Sequence, residues 1–293
     1  MRITQRMLMN DAVERLGTTL LGLAKAQERA STGKRLNHPD DDPIGVEQAL
    51  GLRSNLETLD AHLQTISASR GWLAATEHGL QALADLLTET RNLALRGASD
   101  HLTVSDRVKL ADQADQNVDQ ALQTANSRYG NDYLFAGLRV TTLPFVLAPA
   151  PALVSYQGDT GLMQREVEPG GTLSVNVSGD QIQSALVQII TVRDALRAGD
   201  GATLAAALST IDDAIEELTS RLAEVGAKTS RLDETQSRLE SLQTNLKSRL
   251  SNIEDQNMAE AAIEVASRDT IYRATLSATS RIIQPTSLFD YLR

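Results

Sequence analysis

Two stretches of this chain repeat apolar residues on a seven-residue period for many turns. In the first, Ala49, Leu52, Leu56, Leu59, Leu63, Ile66, Leu73, Leu80, Ala84 and Leu87 keep the step, with Arg70 and Glu77 as its two polar interruptions. In the second, Leu208, Ile211, Ile215, Leu218, Leu222, Val225, Thr229, Leu232, Gln236, Leu239, Gln243, Leu246, Leu250 and Ile253 keep it again. A stripe of this period runs along one side of an α-helix and has to be covered by another helix. At about 1.5 Å per residue, a helix of about 45 residues is roughly 65–70 Å long, well beyond the usual globular helix. The repeats therefore predict a mainly α fold: a bundle of long helices formed by the N- and C-terminal segments, so that the two ends of the chain meet.

The rest of the chain falls around that frame. Met9, Val13, Leu16, Leu20 and Leu23 step as an amphipathic helix that stops at Ser31-Thr32-Gly33. A polar turn follows, in which Asn37, Asp41, Asp42 and Pro43 join two helices, Pro43 suiting the first turn behind an Asp42 cap. A third helix, capped by Ser105, carries Val108, Ala111, Val118, Leu122, Ala125 and Tyr129. Helix breakers then cluster at Pro144, Pro149, Pro151, Pro169, Gly170 and Gly171, while Leu173, Val175 and Val177 alternate with polar neighbours and can pair with 162–168. This predicts a small inserted β domain at 136–180, between helical halves at 45–135 and 181–255. Beyond Ile253 the repeat changes phase near Asn257, to Met258, Ala261 and Val265. The outer tracts, 1–44 and 256–293, each have one thin partner and are expected to be disordered in the monomer, ordering against neighbours. The candidate assembly residues are Leu16, Leu20 and Leu23 on the first tract, and Met258, Ala261, Val265, Leu288, Phe289 and Leu292 on the last.

Composition excludes several classes. A net charge of −10 with no Lys/Arg block argues against nucleic acid. No apolar run approaches the length of a transmembrane helix, so no membrane insertion is expected. Met1–Asn10 lacks the basic and apolar regions of a cleaved secretory signal. There is no Cys, hence no disulfide or thiolate metal site.

Nor does any constellation carry catalysis. His38, Asp40, Asp41 and Asp42 are nearly consecutive and flanked by prolines, which suits a capping turn better than a metal shell. His62, His78 and His101 have no ligand spacing, and the acid pairs Glu216-Glu217 and Glu254-Asp255 read as solvated helix faces. Ser155 and Ser178 lie in no nucleophile elbow, and the glycines at 130–137 and 158–161 lack the Lys of a phosphate loop. No catalytic residue, metal or cofactor is expected. Trp72, beside Gly71, is either a packing anchor or a subunit contact.

Short motifs in order along the chain carry a resemblance. They are Met1-Arg2-Ile3-Thr4, Ser31 to Asn37, Asp41-Asp42-Pro43, Arg91 to Leu95, Ser105-Asp106-Arg107, Ala125-Asn126 and Tyr133-Leu134-Phe135-Ala136-Gly137. They continue with Tyr156 to Asp159, Val175 to Asp180, Val225-Gly226-Ala227, Arg231-Leu232, Ser251 to Asp255, Ala259-Glu260-Ala261 and Ser287 to Leu292. In this the chain resembles the flagellin superfamily and, through its central motifs, the FlgL family of hook–filament junction proteins. Asn257 and Phe289 depart from the family pattern, in which Asp and Leu are usual.

The resemblance implies a flagellin-like rod and a secreted structural subunit that leaves through the flagellar type III apparatus. It implies self-assembly into a ring, with the first hook-associated junction protein on the hook side and flagellin on the filament side. An export chaperone would bind before secretion. Two other readings stay open, flagellin itself as the bulk filament subunit and a cytoplasmic coiled-coil interaction protein.

Overall fold

The structure is a computed structural model that describes residues 5–99, 101–148 and 153–283. In chain order the elements are α1 (Gln5–Thr32), α2 (Pro43–Gly97), α3 (Val104–Ala125), β1 (Arg128–Tyr129), β2 (Asp132–Tyr133), β3 (Phe145–Ala148), β4 (Leu153–Tyr156), β5 (Gln164–Glu168), β6 (Gly171–Ser174), α4 (Gln183–Ala198), α5 (Gly201–Glu254) and α6 (Met258–Ile283). The fold is mainly α, with small strand pairs inserted between α3 and α4. The chain forms two compact units, one holding the chain up to Thr58 and from Ser241, the other Leu59–Glu240.

In the Leu59–Glu240 unit, α2 and α5 run antiparallel. Arg91 Nε meets Asp212 Oδ1 at 2.5 Å, and 21 residues back along α2 Arg70 Nε meets Asp233 at 3.0 Å. The α2 seam buries Leu59, Ile66, Leu73, Leu80 and Leu87, one residue every two turns. On α5 the buried apolar residues are Leu204, Ala207, Ile211, Ala214, Leu218, Val225, Leu232 and Leu239. Every second expected position is therefore central, whereas Leu208, Ile215 and Leu222 lie half-buried on the flank. Ala207 and Ala214 take the centre because a methyl group lets the neighbouring helices approach where a Leu would hold them apart.

α3 and α4 complete the helical packing. Asp115 on α3 pairs with both Arg193 and Arg197 of α4, and Asn117 Nδ2 donates to Thr90 Oγ1 of α2 at 3.3 Å. The α3 cap is Thr103, two residues before the expected Ser105, because its hydroxyl accepts the Asp106 N–H. Arg107 closes two other helix ends. Its guanidinium donates to the carbonyls of Gly97, Ser99 and Gly199, at the C-termini of α2 and α4.

The β region consists of three antiparallel hairpins, β1–β2, β3–β4 and β5–β6. Pairing already begins at Arg128, upstream of 136. The last hairpin turns through Gly170 at a positive φ of 73°, setting Arg165 opposite Leu173. Two side chains tie this region together. Asn126, just after α3, accepts the Phe145 N–H at 2.9 Å and donates to the Phe145 carbonyl at 3.0 Å, standing in for a neighbouring strand. The Tyr156 hydroxyl accepts the Gly179 N–H and lies within hydrogen-bond reach of the carbonyls of Phe135 and Asp159. Gly179 has no room for a Cβ, which would meet the Tyr156 ring and, at 2.7 Å, the Phe135 carbonyl. Three of the central motifs thus converge on one latch.

Candidate assembly interface

The other unit contains both terminal helices. α1 and α6 pack antiparallel: Gly33 at the end of α1 lies near Met258, and Gly22 lies against the Arg268 guanidinium. A groove of about 700 Å³ further along the pair is lined by Leu8, Ala12 and Thr19 on α1 and by Ala274, Ala278 and Thr279 on α6.

The contact between them is made mostly of small residues, with Leu23 the one large side chain among those buried. Ala12, Leu23 and Ala26 are buried on α1, and Ala261 and Thr279 on α6. Among the described residues α1 and α6 are covered mainly by each other, so apolar residues away from that stripe face solvent. Met7, Leu8, Met9, Val13, Leu20 and Leu21 are exposed on α1, and Met258, Ile263, Ile271 and Leu276 on α6. These exposed apolar residues make the hairpin the candidate interaction face.

The sequence candidates divide between the two environments. Leu23 and Ala261 are buried within the hairpin, and Leu16 and Val265 are half-buried. Leu20 is 50% exposed and Met258 56% exposed, on its rim. Leu288, Phe289 and Leu292 lie outside the described residues. Trp72 belongs to the other unit. Its indole is buried edge-on against Tyr129, with ring centroids 5.8 Å apart, and Gly71 beside it leaves space that the Tyr129 hydroxyl fills.

A polar joint links this hairpin to the start of α2 and the end of α5. Gly33 takes a positive φ of 68°, and the chain then runs beside the break between α5 and α6. Arg35 N donates to the Glu254 carbonyl at 2.6 Å and Gln256 N to the Gly33 carbonyl at 2.9 Å. The phase change near Asn257 coincides with this break.

The turn residues then fix the entry to α2. Asp41 accepts the N–H groups of His38 and Asn37 and faces Arg29; the His38 N–H above all, with Asn37 and Arg29, holds its carboxyl below the usual range against the opposing effect of burial. Asp42 caps the helix that begins at Pro43, accepting Gly45 N at 3.0 Å. That N–H and the Arg35 guanidinium lower its pKa. Asn37 Nδ2 donates back to the Lys34 carbonyl. These carboxylates are occupied by backbone donors and cations of the chain itself.

Glu254 corrects the reading of a solvated acid pair. It is only 3% exposed, with Lys34 Nζ 2.9 Å from one oxygen and Arg53 Nη2 2.6 Å from the other. As the last residue of α5, it is covered by the segment crossing after Gly33, a proximity that helix periodicity does not encode. Burial pushes its pKa up, but Arg53 and Lys34 outweigh it and hold the carboxyl below the usual Glu value. Among the described residues no helix is long and apolar enough to cross a membrane.

Comparison with known proteins falls on the same segments. The family model of the bacterial flagellin N-terminal helical region matches residues 3–139, and that of the C-terminal helical region matches 208–292. Flagellar hook-associated protein 3 of Salmonella typhimurium is 25% identical over 187 residues, 64% of this chain and 58% of that protein. The chain thus spans less than two thirds of the length of this relative and of its Escherichia coli counterpart. Among solved structures, FlgL of Bacillus cereus aligns with a TM-score of 0.61 at 19% identity, over 69% of this chain and 99% of that one. Flagellar hook associated protein-3 of Legionella pneumophila aligns with a TM-score of 0.64 at 14% identity, over 69% and 98%. At such identities the structural likeness shows a shared fold.

Proposed function

The chain belongs to the bacterial flagellin family, and from that premise we propose that it is a structural subunit of the flagellum, forming the junction between hook and filament by polymerising through its terminal helices. The observation that carries this reading is the apolar surface on both helices of the α1–α6 hairpin, which no other described residue covers. The relatives named hook-associated protein 3 favour the junction over the bulk filament.

The mechanism is adhesive. Neighbouring copies bury Leu20, Met258 and the rest of that surface, while Leu23, Ala261, Leu16 and Val265 hold each hairpin together. A pair joined mainly through Ala and Thr buries little apolar area, which supports loose outer tracts, 1–44 and 256–293, that order fully on contact. The ordering entropy is then met only when neighbours supply the burial, and this discourages polymerisation before export. The tail with Leu288, Phe289 and Leu292 adds to the same contact. On this reading the subunit is exported through the flagellar type III apparatus, held beforehand by a chaperone on its C-terminal tract. It then forms a ring between the first hook-associated junction protein and flagellin.

Immunogold labelling of isolated hook–filament complexes tests the proposal. Gold confined to the hook–filament boundary is expected; label along the whole filament would identify a flagellin instead, and label absent from flagella would end the reading.

A further inference from the structure

We propose that Met7, Met9 and Met258 are oxidative modification sites, at which a peroxide turns exposed thioethers into sulfoxides and reversibly disables the terminal hairpin for assembly; this rests on the assembly reading above. The chain has five methionines and no cysteine, so an oxidant that transfers oxygen to sulfur meets thioethers alone.

Those sulfurs are unevenly placed. Met7, Met9 and Met258 are 60%, 43% and 56% exposed, and all three lie on α1 or α6. Met163, in the β region, is half-buried, and the Arg165 guanidinium donates toward its sulfur at 3.5 Å. Met1 lies outside the described residues. Among the described residues, every exposed methionine therefore belongs to the hairpin. Met7 and Met9 flank Leu8, which lines the groove between the two helices, and the Met258 sulfur lies beside Gly33 at the end of α1. The leucines and isoleucines of the same surface, Leu20, Leu21, Ile263 and Ile271, offer no such chemistry.

The oxygen comes from hydrogen peroxide. A lone pair of Met Sδ attacks one peroxide oxygen, the O–O bond breaks as the S–O bond forms, and the second oxygen leaves as water. Sulfur gives up two electrons and the peroxide takes them. The product holds a polar acceptor where a flexible apolar group stood. Burying that oxygen against a neighbour's apolar surface leaves it without a donor, a cost that a thioether does not carry. The modification acts on the free subunit, since assembly covers the same sulfurs, and sulfoxide reductases reverse it.

Purified full-length protein, treated with hydrogen peroxide, tests this. Peptide mass spectrometry follows each methionine, and immunogold scores binding to flagellar hooks isolated from cells lacking the native subunit. Met7, Met9 and Met258 are expected to oxidise faster than Met163. Incorporation should fall at least about tenfold and return after treatment with the two methionine sulfoxide reductases. A chain with Met7→Leu, Met9→Leu and Met258→Leu, which nearly keeps side-chain volume, should incorporate equally well with and without peroxide.

Full incorporation of the oxidised chain overturns the proposal. So does an equal loss in the leucine chain, which would place the damage elsewhere, or loss of the unfolding transition at Trp72, which would place it in the fold. Glutamine at the same three positions imitates the polarity without an oxidant. That chain is expected to incorporate at least about tenfold less, and normal incorporation refutes the proposal. Failure of the untreated chain to bind hooks counts against the functional reading instead. The oxidation rates are read on the free monomer, and a Met163 as reactive as the other three overturns the proposal in either case.

Discussion

Lys34 and Glu254, 220 residues apart in the chain, meet through a 2.9 Å hydrogen bond between the Lys34 ammonium and Glu254 Oε2. Arg53 occupies the other oxygen, so one buried carboxylate joins the segment after α1, the start of α2 and the end of α5. Removing one partner of a buried charged group is costly, but the Lys34 and Arg53 side chains are 42% and 47% exposed, which softens the loss. Glu254→Gln is therefore expected to destabilise the joint by about 1–2 kcal/mol. Faster amide exchange at 34–36 and 254–256 would register it, with 59–240 unaffected. Unchanged exchange would contradict the role given to Glu254.

The same group sets a pH dependence. Its folded pKa lies below the unfolded value, so its contribution is fully present above the ordinary Glu range and is lost as pH falls through the depressed folded pKa. Asp41 and Asp42, also depressed, act in the same direction. Exchange protection at the joint should hold at neutral pH and fall on acidification below the usual carboxylate range. The Glu254→Gln protein should show a shallower fall. Equal slopes in the two proteins would remove Glu254 from the account.

The long repeats make the α2–α5 pairing legible, since a seven-residue stripe leaves a helix few other ways to be covered. They do not place Ala207 and Ala214 at the centre of the seam. An Ala reads as weakly apolar in a pattern, although its small size is what the close approach requires. Asp42 and Pro43 show their capping role because that chemistry is local. Glu254 does not: an acid at a helix end looks solvated until a segment from the other end of the chain is laid across it. Asn126, Tyr156 and Gly179 likewise gain their meaning from partners 19 to 23 residues away through irregular backbone. The hairpin stripes are visible as periodicity, but which side of α1 faces α6 is decided by small residues that the pattern ranks low.

Tyr156 joins the β region to the start of α4 with a single hydroxyl. Burial raises its pKa, and the Gly179 N–H only partly offsets this, so the phenol stays protonated and remains a donor. Tyr156→Phe keeps the ring against Phe145, 5.2 Å between centroids, but strands the Gly179 N–H and the carbonyls facing it. A loss of about 1–3 kcal/mol is expected. Gly179→Ala should be worse, because its methyl meets the Phe135 carbonyl, which is backbone and cannot turn aside. Urea unfolding followed by the fluorescence of Trp72, the only Trp in the chain, ranks the two. A Gly179→Ala protein as stable as the unsubstituted one would show the latch to be slack.

Arg107 is a second point where one residue satisfies several backbones. Its planar fork reaches Gly97, Ser99 and Gly199 at 3.1, 3.2 and 3.0 Å. An ammonium has three donors but not that spread, so Arg107→Lys leaves at least one helix-end carbonyl without its partner. A cost of about 2 kcal/mol is expected. Exchange at the C-terminal turns of α2 and α4 should rise in step. A neutral Arg107→Lys substitution would mean that water replaces the guanidinium without loss.

Deleting 258–293 separates folding from assembly. The truncation uncovers Ala12, Leu23 and Ala26 on α1 but removes nothing from the Leu59–Glu240 unit, whose seam and ion pairs lie wholly within that span. Distant sites contribute nearly independently, so unfolding monitored at Trp72 should shift by no more than about 0.5 kcal/mol. Limited proteolysis of the intact monomer is expected to trim both ends toward a core near 45–255, and the truncated protein should reach that core sooner. In cells the truncated subunit should fail to incorporate at the hook tip. Filaments formed normally with it as the sole copy would show that α6 and the tail are dispensable, and the terminal helices would lose their place as the assembly device.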